Sequence, residues 1–177
     1  MKIKSHEAEK ATVIAVAQAM ATAARTAPKA VGIDHIETLI LTDEDLLPLA
    51  DTMEALGKEY DKAFFVRDAG NVRNSTAVLL IGATGGVRGL NDVCGYCGSK
   101  NCAACVADGN SCVYNTIDMG IAIGSAVAVA ADAHIDNRVM FSIGAAALKM
   151  NLMDDNVKVL LGIPLSATKK SIYHDRG

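Results

Sequence analysis

The sequence predicts an α+β domain in which helices pack on a small mixed sheet, with a cysteine-rich segment inserted into it. Three observations carry this. Helix-spaced apolar positions alternate with short continuous apolar runs along the chain. Apolar residues make up 51% of the composition but aromatic residues only 4%, so the core is built from Ala, Val, Ile, Leu and Met. All five cysteines fall between residues 94 and 112, where the composition shifts sharply. With 177 residues the chain is long enough for one domain, residues 1–177, carrying an inserted module at 90–114.

The elements follow in order. Residues 6–26 carry Val13, Val16, Ala17 and Met20 on one side and read as a helix. Pro28 ends it by pushing the preceding residue out of the helical region. The run 36–41 reads as a buried strand, and Thr42 or Asp43 is placed to cap a helix over 44–60. Arg67, Asp68, Asn71 and Arg73 form a polar, loop-like segment before the strand 77–81, whose unbroken apolarity implies burial on both faces. Gly82 to Gly89 reads as a flexible entry to the cysteine module. It lacks the Lys-Ser/Thr of a phosphate-binding loop.

A central helix over 115–133 follows, with Gly120, Gly124 and Ala128 at four-residue spacing, where another helix can approach closely. Asn115 is placed to cap it and Asp118 to sit in its first turn, near the positive end of the helix dipole. A helix over 137–150 and a strand over 157–161 complete the core, the strand being closed by Gly162-Ile163-Pro164. The tail with Lys169, Lys170 and Arg176 is polar and basic.

The formal charge of −3, from 17 basic and 20 acidic residues, comes without charge runs. That argues against nucleic acid or an anionic membrane as a partner. The start of the chain lacks the apolar segment of a secretory signal. The apolar stretch 117–133 is interrupted by Asp118 and Asp132 and rich in small residues, so it reads as a buried helix and not a membrane span. A soluble, cytoplasmic protein is expected. In that reducing compartment clustered cysteines read as a metal site in preference to disulfides.

The spacing is Cys94-x2-Cys97-x4-Cys102-x2-Cys105-x6-Cys112. Residues two apart in a pair can bind one centre from a single turn of chain, and Gly95 and Gly98 let the backbone fold round it. Two metal centres accept such a thiolate set: a 4Fe–4S cluster and a four-thiolate zinc site. Cys94, Cys97 and Cys102 are expected ligands, with Cys105 or Cys112 as the fourth. The four histidines are scattered, and no nucleophile–His arrangement is legible, so no catalytic residue is assigned.

The run from Cys94 to Cys102 resembles the CGxCGxxxC motif of small 4Fe–4S domains in the corrinoid iron–sulfur protein and in electron-transport complexes. Those domains take their fourth cysteine downstream, which implies Cys112. Here it follows Cys102 closely, and Cys105 stands where an apolar residue is common. Nearly the whole chain resembles a prokaryotic family of uncharacterised ferredoxin-domain proteins. The matching stretches include 67–71, 118–125, 136–140 and 162–166. The segment 23–30 is also similar to the ARxAPSAGN region of FMN-dependent nitroreductases.

That second resemblance implies a nitroreductase-like fold, a homodimer, and flavin near Arg25, Lys29, Arg67, Asn71 and Arg73. The chain departs from it in two places: the Arg-rich start is replaced by Lys2, Lys4, Ser5 and His6, and Ser-Ala-Gly-Asn by Lys29-Ala30-Val31-Gly32. The resulting expectation is an iron–sulfur electron-transfer protein, possessing FMN if the flavin resemblance extends to binding, with a redox partner protein. The alternative is a non-enzymatic binding or structural protein braced by zinc.

Overall fold

The computed structural model describes residues 2–174; Arg176 of the expected basic tail lies outside them. Six helices and four strands run in the order α1 (Ser5–Thr26), β1 (Ile36–Thr42), α2 (Leu46–Glu59), α3 (Ala63–Arg73), β2 (Ala77–Thr84), α4 (Cys102–Ala107), α5 (Val113–Asp132), β3 (Asp136–Asn137), α6 (Phe141–Lys149) and β4 (Val157–Ser166). The strand order is β1-β2-β4-β3. Every pairing is antiparallel, so the sheet is not mixed as expected.

β2 is the spine. Every one of its residues is buried, because helices cover both faces. Val78 and Leu80 face a core shared with α2, α3 and α6. Ala77, Leu79, Ile81 and Ala83 face a second core shared with α1 and α5. The two-residue period of a strand thus feeds two cores from one apolar run.

Three expectations need correction. The polar segment at 67–73 is helical, in α3: its buried positions Phe65, Ala69 and Val72 recur at helical spacing, and its charges are paired, Arg67 with buried Asp68 and Arg73 with Asp51 on the outside. The strand at 157 does not stop at Gly162 but continues to Ser166. Pro164 is tolerated because the Gly162 N–H two residues earlier points away from β2, toward Met140, so the missing donor falls outside the β2 ladder. The Gly120–Gly124–Ala128 stripe faces outward. The close contact with α1 is made by Met119, Ala122, Ala126 and Ala130 against Val13, Ala17, Met20 and Ala24. Among the described residues, α5 is the one helix long and apolar enough to cross a membrane.

α6 lies almost against the backbone of β4. A Cβ on Gly144 would stand 1.8 Å from the Leu160 carbonyl oxygen. Asp68 is buried between layers, accepting from Arg67 Nη2 at 2.7 Å and Ser142 Oγ at 2.6 Å, and so ties α3 to α6.

Candidate metal centre

The chain between β2 and α5 wraps a small, partly open cavity of about 20 Å³. All five cysteines line it, together with Arg88, Ser99, Asn101 and Tyr114. Each thiol arrives by a local device. Gly95 (φ 68°) and Gly98 (φ 78°) turn the chain through left-handed conformations that bracket Cys97. Asn101 caps α4, its side-chain oxygen accepting from Ala104 N at 2.9 Å. Cys102 and Cys105 then share a face one helical turn apart. Cys112 is the N-cap residue of α5, where the helix dipole favours a thiolate.

A backbone donor already points at one sulfur, and hydrogen bonding shifts the acidity of another. Asn91 N donates to Cys102 Sγ at 3.3 Å. The Ser99 N–H beside Cys97, aided by the Cys105 thiol, holds Cys97 below the usual thiol range. Cys105 is pushed up, first by burial and then by Cys97, and its sulfur lies 3.6 Å from the Asn110 carbonyl to which it donates. Cys105 and Cys112 are buried, whereas Cys94, Cys97 and Cys102 are half-buried. Among the described residues, no three His, Cys, Asp or Glu side chains converge tightly enough for one ion.

The wall behind the thiols went unread in the sequence. Arg88, from the Gly-rich stretch, is buried with its side chain 1% exposed. Its Nη2 lies 2.7 Å from Asp118 Oδ2. Asp118 Oδ1 accepts from Ala30 N at 3.0 Å, joining α5 to the loop after α1. Asp118 is therefore a buried ion-pair partner in the second turn of α5, and not a first-turn dipole residue. Asn115 does not cap the helix: Cys112 occupies the N-cap position, without a side-chain capping bond, and buried Asn115 donates from Nδ2 to the Gly86 carbonyl at 2.9 Å. His35 packs its ring against Gly86 and lies 2.9 Å from Thr84 Oγ1. Burial first, then the Arg88 charge, lower its pKa. The only sequence signal for this wall was an Arg amid glycines and an Asp in an apolar helix.

The residues expected near flavin are dispersed. Arg25 pairs with Asp34 at 2.8 Å. Lys29 is spent on the α1 terminus, donating to the carbonyls of Ala24, Arg25 and Ala27. Arg67 pairs with Asp68, and Arg73 with Asp51 and Glu54. Asn71 is half-buried on α3, across the sheet from α1. They do not assemble one phosphate site within the chain.

Known proteins sharpen this picture. A protein from Archaeoglobus fulgidus, described as uncharacterized, is 44% identical over 165 residues, covering 89% of this chain and 88% of its own length. Residues 108–176 match the family described as uncharacterized proteins containing a ferredoxin domain (DUF2148). The chain belongs to this family. The matched residues include Cys112, α5 and α6, and leave the first four cysteines outside.

Solved structures give the fold. A Lactococcus lactis nitroreductase in complex with chloramphenicol aligns with a TM-score of 0.60 at 15% identity, covering 96% of this chain and 82% of its own. A Clostridium novyi nitroreductase family protein aligns at 0.57 and 18%, covering 97% and 80%. An oxidoreductase containing FMN aligns at 0.60 and 12%, covering 88% and 67%. The family member thus has the nitroreductase fold. The family's ferredoxin domain suggests a redox-related role.

Proposed function

We propose that this ferredoxin-domain protein holds a 4Fe–4S cluster on Cys94, Cys97, Cys102 and Cys112 and passes single electrons through it. The observation that carries this is the convergence of five thiols on one cavity. The thiolate-only donor set and the N–H group directed at Cys102 suit a cluster, whose sulfurs need such donors. Cys105 is the fifth thiol: buried and donating to Asn110, it keeps its proton and acts on Cys97 instead of on metal.

A bound cluster supplies reversible one-electron chemistry. The chain's own part is to exclude water from the inner thiols, direct N–H groups at sulfur, and present the half-buried cysteines toward a redox partner protein. The reading assumes a reducing, cytoplasmic compartment, where thiolates persist as ligands. It extends to a homodimer, supported by the outward face of α5, where Ile117 and Ile121 are 43% and 42% exposed beside Gly120 and Gly124. FMN is the cofactor of one fold neighbour. The dispersed cations do not fit a flavin phosphate within one chain, so no step is assigned to flavin.

The test is anaerobic purification, or reconstitution with iron and sulfide, followed by iron and sulfide analysis and the visible spectrum. A broad absorption shoulder with matching iron and sulfide content is expected. Colourless protein without iron after reconstitution overturns the reading. Sedimentation velocity tests the dimer, which a monomer at micromolar concentration would refute.

A further inference from the structure

Arg88 is the least explained charge in the molecule. It is a buried guanidinium on the wall of the thiol cavity. One nitrogen, Nη2, is used by Asp118. Nε and Nη1 are buried and have no partner among the described residues. A guanidinium carries five N–H donors in a rigid fork. Leaving buried charged donors unpaired is costly, so a site that keeps them is built around an acceptor. Asp118 does not meet them: it reaches Nη2 alone, through Oδ2, while Oδ1 turns to the Ala30 N–H.

Resting on the cluster reading above, we propose that Arg88 sets the reduction potential of the centre: its free N–H groups and its positive charge favour the reduced state. Four thiolates outweigh the iron–sulfur core and leave a net negative site, and each added electron makes it more so. A cation with free donors on the same wall stabilises the more negative state, with charge-assisted hydrogen bonds to sulfur adding to the Coulomb term. Asp118 opposes this. It anchors Arg88 and partly neutralises it, so the Arg88–Asp118 pair is a graded setting and not a simple ion pair. Through Ala30 the setting is also mechanically joined to the loop after α1.

The opposed signs make a test that a merely structural role does not reproduce. Wild type, Arg88→Gln, Arg88→Lys and Asp118→Asn are reconstituted anaerobically, assayed for iron, and titrated with dithionite against mediators while the spectrum is followed. In Arg88→Gln the reduction equilibrium constant is expected to fall at least about tenfold, which is about 59 mV for a one-electron couple. Arg88→Lys, which keeps the charge, is expected to stay within about threefold of wild type. Asp118→Asn, which unmasks the cation, is expected to raise the constant.

An iron-loaded Arg88→Gln protein with the wild-type constant overturns the inference and leaves the cluster reading intact. If Arg88→Gln holds no iron, the Asp118→Asn arm decides: an unchanged or lowered constant overturns the inference, as does failure of all three variants to load. A wild-type chain that takes up no iron fails the cluster reading itself, before any variant is compared.

Discussion

The helix-and-sheet frame and the cysteine module obey different physics. In the frame, β2 is buried along its whole length, and its alternating side chains serve two apolar cores. In the module the apolar side chains are outside: Val93 is 87% exposed, Tyr96 70% and Val106 60%. What the module buries is Cys105, Cys112 and Ser99, with Arg88 just ahead of it. Apolar burial drives the frame to fold. The module has thiols in that place, and on the proposed reading its stability comes from the metal they bind. The contrast predicts that the frame stays folded without a metal on the thiols, while the module does not.

The sharpest way to break the contrast is to remove the metal. Cys94→Ser and Cys97→Ser are each expected to lose the iron and to raise hydrogen exchange across residues 90–114 by orders of magnitude, on the order of 10²-fold or more. Exchange in β2 and α5 stays protected. Retained iron in both variants would refute their assignment as ligands, and loss of protection throughout β2 would refute the independence of the frame. The converse lesion is Gly144→Ala, whose new methyl meets the Leu160 carbonyl oxygen. It is expected to cost about 3 kcal/mol in urea unfolding, because backbone on both sides must shift. Where the variant is folded, its iron content matches wild type.

A smaller effect separates the two regions locally. Asn101→Ala removes the cap of α4 and is expected to cost about 1 kcal/mol. It should appear as slower or incomplete cluster uptake and not as a lower melting temperature of the frame. The smallest effect lies on the frame's surface. Glu54 is held below its ordinary carboxyl range first by the hydrogen bond from Lys58, then by that from Arg73. A depressed folded-state value means the contribution is present above pH 4.5, the ordinary value, and is lost as pH falls through the lowered one. Arg73→Ala should flatten that part of the acid unfolding curve and leave neutral-pH stability little changed; an unaltered acid profile would show the pairing carries no stability.

Legibility in the sequence followed the same division. The frame's helices and strands were visible because periodicity is a local record of which faces are buried. α3 was missed because Arg67, Asp68, Asn71 and Arg73 outweighed Phe65, Ala69 and Val72, whose helical spacing was present to be read. The clustered thiols were visible because their spacing is itself local. Arg88 was not, since a glycine-rich neighbourhood says flexible loop, and only contact with Asp118, thirty residues away, makes it a buried charge.

The sequence by itself therefore determined that thiols gather within one short module, and that an alternating helix-and-strand frame surrounds them. Both rest on neighbours a few residues apart. The tertiary structure alone decided that all five sulfurs face one cavity, that Cys105 turns toward Asn110, and that Arg88 and Asp118 stand behind the site. Those are relations between distant segments, set when α5 docks on α1 and the sheet, and no spacing along the chain encodes them.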